Sequence, residues 1–327
     1  MQAIVYTRYD SPDVLQLQVV AKPAPNDNEV LIKTYATTIT SGDWRVRSLN
    51  VPVGFGLIMR LVFGVSRPKR PILGTELAGI VASVGKDVKK FKVGDQVFAF
   101  SAAAMGCHAE YKCMPEDGAI ALKPANMAYN EAAALSFGGT TALHFFRRGK
   151  LQSGERVLVN GASGGVGTAA VQLAKHFGAD VTGVCSTANV ELVRSLGASH
   201  VIDYTQEDFT RNGAIYDVIV DTVGTAPFSR SKASLKARGR LLMVFDGLPD
   251  MLQIPWVAMT SSKKVIAGPA VGRAEDLRFL AGLAEAGAFI PVIDRCYPFE
   301  QIAEAHRYVD TGLDILPGLK AEDSCRP

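Results

Sequence analysis

Cysteines are few, and nothing in their spacing pairs them. The five, at Cys107, Cys113, Cys185, Cys296 and Cys325, are scattered and include no CxxC. That excludes a disulfide framework and a four-cysteine metal lobe, and it reads as reduced thiols in a cytoplasmic protein. No apolar run reaches the roughly 18–20 residues that a spanning helix needs. Met1-Gln2-Ala3-Ile4-Val5-Tyr6 enters a strand-like pattern directly, without the charged and apolar regions of a signal peptide. No stripe of Lys and Arg interleaved with aromatics is present, and the formal charge is only +3, so nucleic acid is not an expected partner. Repeats and low-complexity linkers are missing. With 48% hydrophobic and 20% charged residues, the composition supplies ordinary cores rather than disorder. No Ser/His/Asp or Cys/His constellation has a supporting context, and the five dispersed histidines read as structural or surface groups.

What is present falls into two textures. Up to about Lys123, short β-like runs alternate with turn chemistry: Gln2–Tyr6, Val14–Val19, Glu29–Thr38, Leu77–Ser83, Gln96–Phe100 and Ala109–Cys113. Strands at this spacing predict an antiparallel, barrel-like domain. After Pro124, strands alternate with helices. Arg156–Asn160 leads into a helix over Val166–Phe177, followed by Val181–Cys185, a helix over Val190–Leu196, His200–Asp203, Asp217–Asp221 and Arg240–Val244. That order predicts an α/β unit, a doubly wound parallel sheet with right-handed crossovers. Near the end, Glu275–Ala286 and Phe299–Val309 read as helices. The expected division is 1–123 with 289–327 as one domain and 124–288 as the other. Between Leu49 and Pro71 lies an apolar and basic insertion. Its readings are a mobile flap over the substrate cleft, ordinary packing, or a weak peripheral membrane contact through 51–70.

The strongest local signal is Asn160-Gly161-Ala162-Ser163-Gly164-Gly165-Val166-Gly167, after a β-run and at the start of a helix. A dinucleotide loop needs this context. Gly164 lets backbone approach a pyrophosphate, Gly167 permits close helix–strand packing, and the N–H groups over Ser163, Gly164, Gly165 and Val166 face the phosphates. The end of the next strand selects the nucleotide. An acidic residue there would favour NAD. This chain has Cys185-Ser186-Thr187-Ala188-Asn189, with two hydroxyls and no carboxylate. Ser186 and Thr187 therefore point to NADP(H), although both also suit helix capping.

Gly74-Thr75-Glu76-Leu77-Ala78-Gly79, Val84-Gly85, Phe91-Lys92-Val93-Gly94-Asp95, the glycine loop, and Leu196-Gly197-Ala198 with Val201-Ile202-Asp203-Tyr204 occur in that order. Together they resemble the zinc-free, quinone oxidoreductase-like branch of the medium-chain dehydrogenases. The resemblance implies a GroES-like β-barrel catalytic domain around a Rossmann cofactor domain, and a homodimer. Zinc-dependent relatives carry a Cys in the segment equivalent to Thr40-Ser41-Gly42-Asp43, a His where Thr75 stands, and a third ligand near Phe137. Threonine and phenylalanine do not replace them, so no metal is expected.

Without a Lewis acid, plain alcohol oxidation is difficult, whereas hydride transfer to a quinone or an α,β-unsaturated carbonyl needs only positioning and hydrogen-bond donors. An NADPH-dependent quinone or enone reductase is the expected function. The alternative is an NADPH-binding redox sensor or membrane-associated partner with little turnover. From the resemblance, Thr40 is expected as a hydroxyl donor beside the substrate and Asp43 as a polar anchor. Thr140 corresponds to a nicotinamide-side contact and Tyr204 to a tyrosine by the adenosine phosphate, while Thr222 and Val223, ending a parallel strand, border the cofactor. After Gly312 the chain departs from its relatives, and whether Leu313 onward forms the last strand of the catalytic domain stays open.

Overall fold

The computed structural model describes residues 1–245 and 247–311, and the backbone of strand 316–320. Two compact units divide the chain: 1–51, 56–137 and 272–327 in one, 52–55 and 138–271 in the other. The expected breaks at 123/124 and 288/289 thus differ from the divisions by contact, which fall at 137/138 and 271/272.

The first unit begins with β1 (Gln2–Val5) and β2 (Gln16–Val19), an antiparallel pair. Next come β3 (Glu29–Thr38), α1 (Ser41–Ser48), α2 (Gly56–Phe63), β4 (Glu76–Val84), β5 (Gln96–Phe100), β6 (Tyr111–Pro115), β7 (Ile120–Leu122) and α3 (Tyr129–Ala133). β3 organises the sheet because ten residues give it room for three neighbours. One edge carries β4, and Glu29–Lys33 on the other edge pairs with β6. Alternation along β3 and β4 turns Val30, Ile32, Leu77 and Val81 into a core shared with Val97, Met114 and Ile120. α2, which lies in the apolar insertion, packs Met59 and Phe63 on a second cluster that includes Ile4, Tyr6, Val46 and Leu73.

The second unit contains most of α4 (Ser136–Gly149), then β8 (Arg156–Asn160), α5 (Gly165–His176), β9 (Asp180–Cys185), α6 (Val190–Ser195), β10 (His200–Asp203), β11 (Tyr216–Asp221), α7 (Phe228–Ser231), β12 (Leu235–Met243), α8 (Leu248–Thr260) and β13 (Lys264–Ile266). Its six strands are all parallel, in the order β10-β9-β8-β11-β12-β13. This is the doubly wound Rossmann order, reversing between β8 and β11. The middle strands are mostly apolar at their centres, as strands covered on both faces tend to be: Val157, Leu158 and Val159 sit in register between Val181-Thr182-Gly183 and Val218–Val220, all buried.

The chain then returns to the first unit with α9 (Ala274–Glu285), β14 (Ile293–Pro298), α10 (Ile302–Asp310) and β15 (Leu316–Lys320). The divergent tail does form a strand. β15 pairs antiparallel with Ala36–Thr38 of β3 and parallel with β14, completing a seven-stranded sheet ordered β14-β15-β3-β4-β5-β7 with β6 on β3. Residues 312–315 and 321–327 lie outside the described residues. An ion pair ties α10 to α1: the Arg47 guanidinium, 1% exposed, donates from Nη2 to both carboxylate oxygens of Asp310 at 2.6 and 2.8 Å.

Asp310→Asn would leave the buried Arg47 charge uncompensated, at a cost of about 3 kcal/mol. The exposed pair Arg307–Asp13 serves as control, because solvent screens it. Denaturant unfolding should show a clear loss for Asp310→Asn and none measurable for Asp13→Asn; equal effects would refute the distinction.

Candidate functional site

In the first unit, site chemistry gathers where α1 meets the start of β4. Thr40 caps α1, receiving the Asp43 N–H on its hydroxyl at 3.3 Å, while the Asp43 carboxylate accepts the Thr40 N–H at 2.8 Å. Asp43 also accepts the Thr40 hydroxyl proton at 2.7 Å and, on its other oxygen, the Gly74 N–H at 2.9 Å. With its carboxylate fully buried, Asp43 depends on these donors for its solvation. The bond to Gly74 fixes the approach to β4, so Thr75 Oγ1 stands 3.5 Å from Thr40 Oγ1. Thr40 and Asp43 are thus brought together as expected, but the single hydroxyl proton of Thr40 is already committed to Asp43.

Glu76, quoted in the sequence motif but assigned no role there, is fully buried beside them. The Thr38 hydroxyl donates to Oε1 and the Phe137 N–H donates to Oε2 at 2.5 Å. Burial pushes its carboxyl up to about 8, against the pull of those two donors and with a further push from Asp43. The Thr38 carbonyl accepts from His108 Nε2 at 3.0 Å, and burial lowers the pKa of that imidazole. The three positions compared with zinc ligands, Thr40, Thr75 and Phe137, therefore do lie together. Their donor set of two hydroxyls and a phenyl ring does not fit a zinc ion, and the Asp43 oxygens are spent on N–H and O–H donors. No cluster of His, Cys, Asp and Glu suited to a metal occurs among the described residues.

In the second unit, the glycine loop joins β8 to α5, with Gly164 as the N-cap. A Cβ on Gly167 would lie 1.9 Å from the Gly161 carbonyl oxygen, and one on Gly161, whose φ is +80°, would meet Thr222 Oγ1 at 2.5 Å. Only glycine allows these approaches, which leave the N–H groups at the start of α5 clear of side chains. Ser163 and Val166 are buried beside the loop. The Thr222 hydroxyl donates to the Asn160 carbonyl at 2.8 Å. Asp221, marked in the sequence only by its place at a strand end, accepts the N–H groups of Val223, Gly224 and Ala226 and so shapes that loop. Thr140 is buried in α4, whose Gly138 approaches so closely that a Cβ there would be 2.2 Å from the Gly165 carbonyl oxygen.

Ser186 and Thr187 lie past the end of β9, as expected, and Tyr204 is 63% exposed just after β10, its N–H on the Cys185 carbonyl at 3.0 Å. One neighbour was not anticipated. Asp203 stands opposite Cys185 in the β9–β10 register, and its carboxylate accepts the Thr187 hydroxyl at 2.5 Å, which lowers its pKa. A carboxylate thus does reach this corner, from 16 residues further along the chain than the hydroxyl it binds.

The raised Glu76 pKa sets a pH dependence. Between the ordinary carboxyl range and about 8, the folded chain holds a proton that the unfolded chain has released. Stability from this group therefore falls as pH rises through that window and levels off above it. The Glu76→Gln amide can still accept from Phe137 and donate to Thr38. Thermal melts should match wild type near about pH 5 and exceed it near about pH 9; a constant offset at every pH would show that the carboxyl does not titrate there.

Comparison with known proteins agrees with this geometry. A family model described as "Alcohol dehydrogenase GroES-like domain" matches residues 26–124, and one described as "Zinc-binding dehydrogenase" matches 196–314. The chain is 33% identical over 324 residues to the 2-methylene-furan-3-one reductase of Solanum lycopersicum, covering 95% of this chain and 76% of that protein. It is also 33% identical to the "Chloroplast envelope quinone oxidoreductase homolog" of Arabidopsis thaliana, covering 93% of each. A solved quinone oxidoreductase from Coxiella burnetii superposes with a TM-score of 0.87 at 26% identity, over 98% of this chain and 99% of that one. The cytoplasmic location expected from the cysteines is overturned: relatives are designated chloroplastic or mitochondrial. Free thiols do not tell the cytosol from an organelle interior. The hydroxyls and phenyl ring at the metal-ligand positions, the Rossmann strand order and these matches together place the chain in the zinc-independent medium-chain dehydrogenase/reductase family, among the quinone oxidoreductase-like proteins.

Proposed function

We propose that this chain is an NADPH-dependent reductase that delivers hydride to a quinone or an α,β-unsaturated carbonyl without metal assistance. The observation that carries it is that Thr40, Thr75 and Phe137 put two hydroxyls and a phenyl ring at the positions compared with zinc ligands, in a chain that also has a dinucleotide loop. A bound NADPH supplies the hydride. The chain supplies the rest: N–H groups of Ser163, Gly165 and Val166 hold the pyrophosphate, Gly164 lets the backbone approach it while its own N–H closes the turn on the Gly161 carbonyl at 3.1 Å, Thr140 contacts the nicotinamide side, and Thr222 and Val223 border the cofactor. Ser186 donates to the 2′-phosphate, Thr187 joins it by giving up its bond to Asp203, and Tyr204 flanks the adenosine. Asp203 works against that anion, so the preference for NADPH over NADH is moderate. Thr40 offers its hydroxyl to the developing oxyanion of the acceptor by turning its proton away from Asp43, which otherwise holds and positions it. The relatives' names, a furanone reductase and a quinone oxidoreductase homolog, support this acceptor class.

The test is the loss of NADPH absorbance, beside NADH, with ortho-quinones and enones. Turnover favouring NADPH is expected, and Ser186→Asp should weaken NADPH more than NADH. Equal losses would remove Ser186 from the 2′-phosphate. Binding of both nucleotides without turnover of any acceptor would leave a cofactor-binding redox sensor instead.

Two partner readings go with this function. A weak peripheral membrane contact through 51–70 is developed below. A homodimer is supported by α8, which leaves Leu252, Trp256 and Met259 at 71%, 63% and 86% exposure along one helical stripe beside β13, the outer strand of the parallel sheet. Trp256→Glu should convert a dimer to a monomer in sedimentation analysis; an unchanged mass would dismiss this face.

A further inference from the structure

α2 turns its larger apolar face to solvent. Met59 and Phe63, one turn apart, pack on the core, and the other side presents Leu57 at 71%, Ile58 at 45%, Leu61 at 58% and Val62 at 51% exposure. Val65, 61% exposed, follows the C-terminal end of the helix. A helix that buries two apolar residues and exposes four inverts the usual amphipathic arrangement, and exposed patches of this kind mark interaction surfaces.

The patch is fixed in place. The Lys69 N–H and the Gly64 N–H close the C-terminal turn on the carbonyls of Phe63 and Arg60 at 2.7 and 2.8 Å. Lys69 Nζ donates to the Leu61 carbonyl at 2.6 Å, Arg60 donates to the Val65 carbonyl at 2.8 Å, and the Tyr9 hydroxyl holds the Gly64 carbonyl at 2.9 Å. A Cβ on Gly64 would lie 2.0 Å from the Arg67 carbonyl oxygen, so this turn requires glycine.

Charge around the patch has one sign. From Trp44 to Thr75 the sequence contains six cationic side chains and no Asp or Glu. Arg60, Arg67, Lys69 and Arg70 are exposed, and among the described residues none of them pairs with a carboxylate. The cations that hydrogen-bond do so to backbone carbonyls, which leaves their charge uncompensated. An apolar face ringed by uncompensated cations complements the acyl and headgroup layers of an anionic bilayer, with the apolar side chains at the acyl boundary and the guanidinium and ammonium groups at the phosphates.

We infer that α2 and the 64–70 turn dock the protein on an anionic membrane surface. The helix is far too short to span, so it lies in the interface plane. For the reductase proposed above, such docking would bring the enzyme to acceptors dissolved in the bilayer, and this consequence alone rests on that reading.

The test is co-sedimentation of the full chain with vesicles of phosphatidylcholine alone or mixed with phosphatidylglycerol, at low and high salt. Binding should be roughly tenfold or more tighter to the mixed vesicles and should weaken with salt. The double variant Leu57→Ser, Leu61→Ser and the single variant Arg67→Glu should each lose it. Melting temperature and turnover of a water-soluble quinone should stay at wild-type values, because these side chains are exposed. Failure to sediment with either vesicle, or binding unaffected by the variants, would overturn the inference. Absent vesicle binding with a raised KM for the soluble quinone in the serine variant would make the helix a wall of the acceptor cleft. Absent vesicle binding with a change in oligomeric mass would make it a subunit contact. Vesicle binding by a chain that reduces nothing would uphold the docking surface and reject the reductase.

Discussion

The buried carboxylate of Asp43 is the contact on which the first unit's site depends. Among the described residues no ion pair balances it, and it takes its solvation from N–H and O–H groups, so the backbone must bring those groups to it. Two belong to Thr40 and start α1; the third belongs to Gly74 and sets where β4 begins. The position of Thr75 and Glu76 then follows from the strand, and Thr38 reaches Glu76 from the neighbouring strand. A metal would normally organise such a corner in a zinc-dependent relative. Here the organising charge is negative, and its ligands are hydrogen-bond donors.

The second unit relies on a different constraint, close approach without side chains. Gly161, Gly167 and Gly138 allow the β8 turn, α5 and the start of α4 to come within distances that a single Cβ would forbid. The N–H groups at the head of α5 are thereby left open to an anion. Asp221 and Asn160 complete the arrangement by satisfying the loop after β11 internally, Asn160 donating to Asp221 at 2.9 Å.

Legibility in the sequence follows the range of the physics. The glycine loop and the parallel sheet were readable because steric demands and periodicity act within a dozen residues. Asp203 was missed as a neighbour of Thr187 because only the β9–β10 register joins them. Glu76 stood in a recognised motif, but its full burial beside Asp43 is a tertiary fact. α8 went unread since Pro249 and Pro255 argue against a helix; the first occupies the opening turn, where its missing N–H costs nothing, and the second is tolerated inside. In the tail, Pro317 and Gly318 speak against a strand, yet the outer edge of β3 beyond β6 offers Ala36–Thr38 as a partner and β15 takes it.

The placement of β15 bears on how the molecule is made. It lies between β14 and β3, so the sheet that starts with residues near 30 is completed by residues near 320. The second unit is continuous apart from residues 52–55, and nearly all of it leaves the ribosome as one stretch that can collapse on its own. The first unit cannot. Its opening strands must wait, with one edge of β3 partly unpaired, while about half of the chain is synthesised and folds, and that interval exposes β3 to wrong partners. Chaperone demand during synthesis should therefore centre on the N-terminal third, although the residues that relieve it emerge only after the whole second unit.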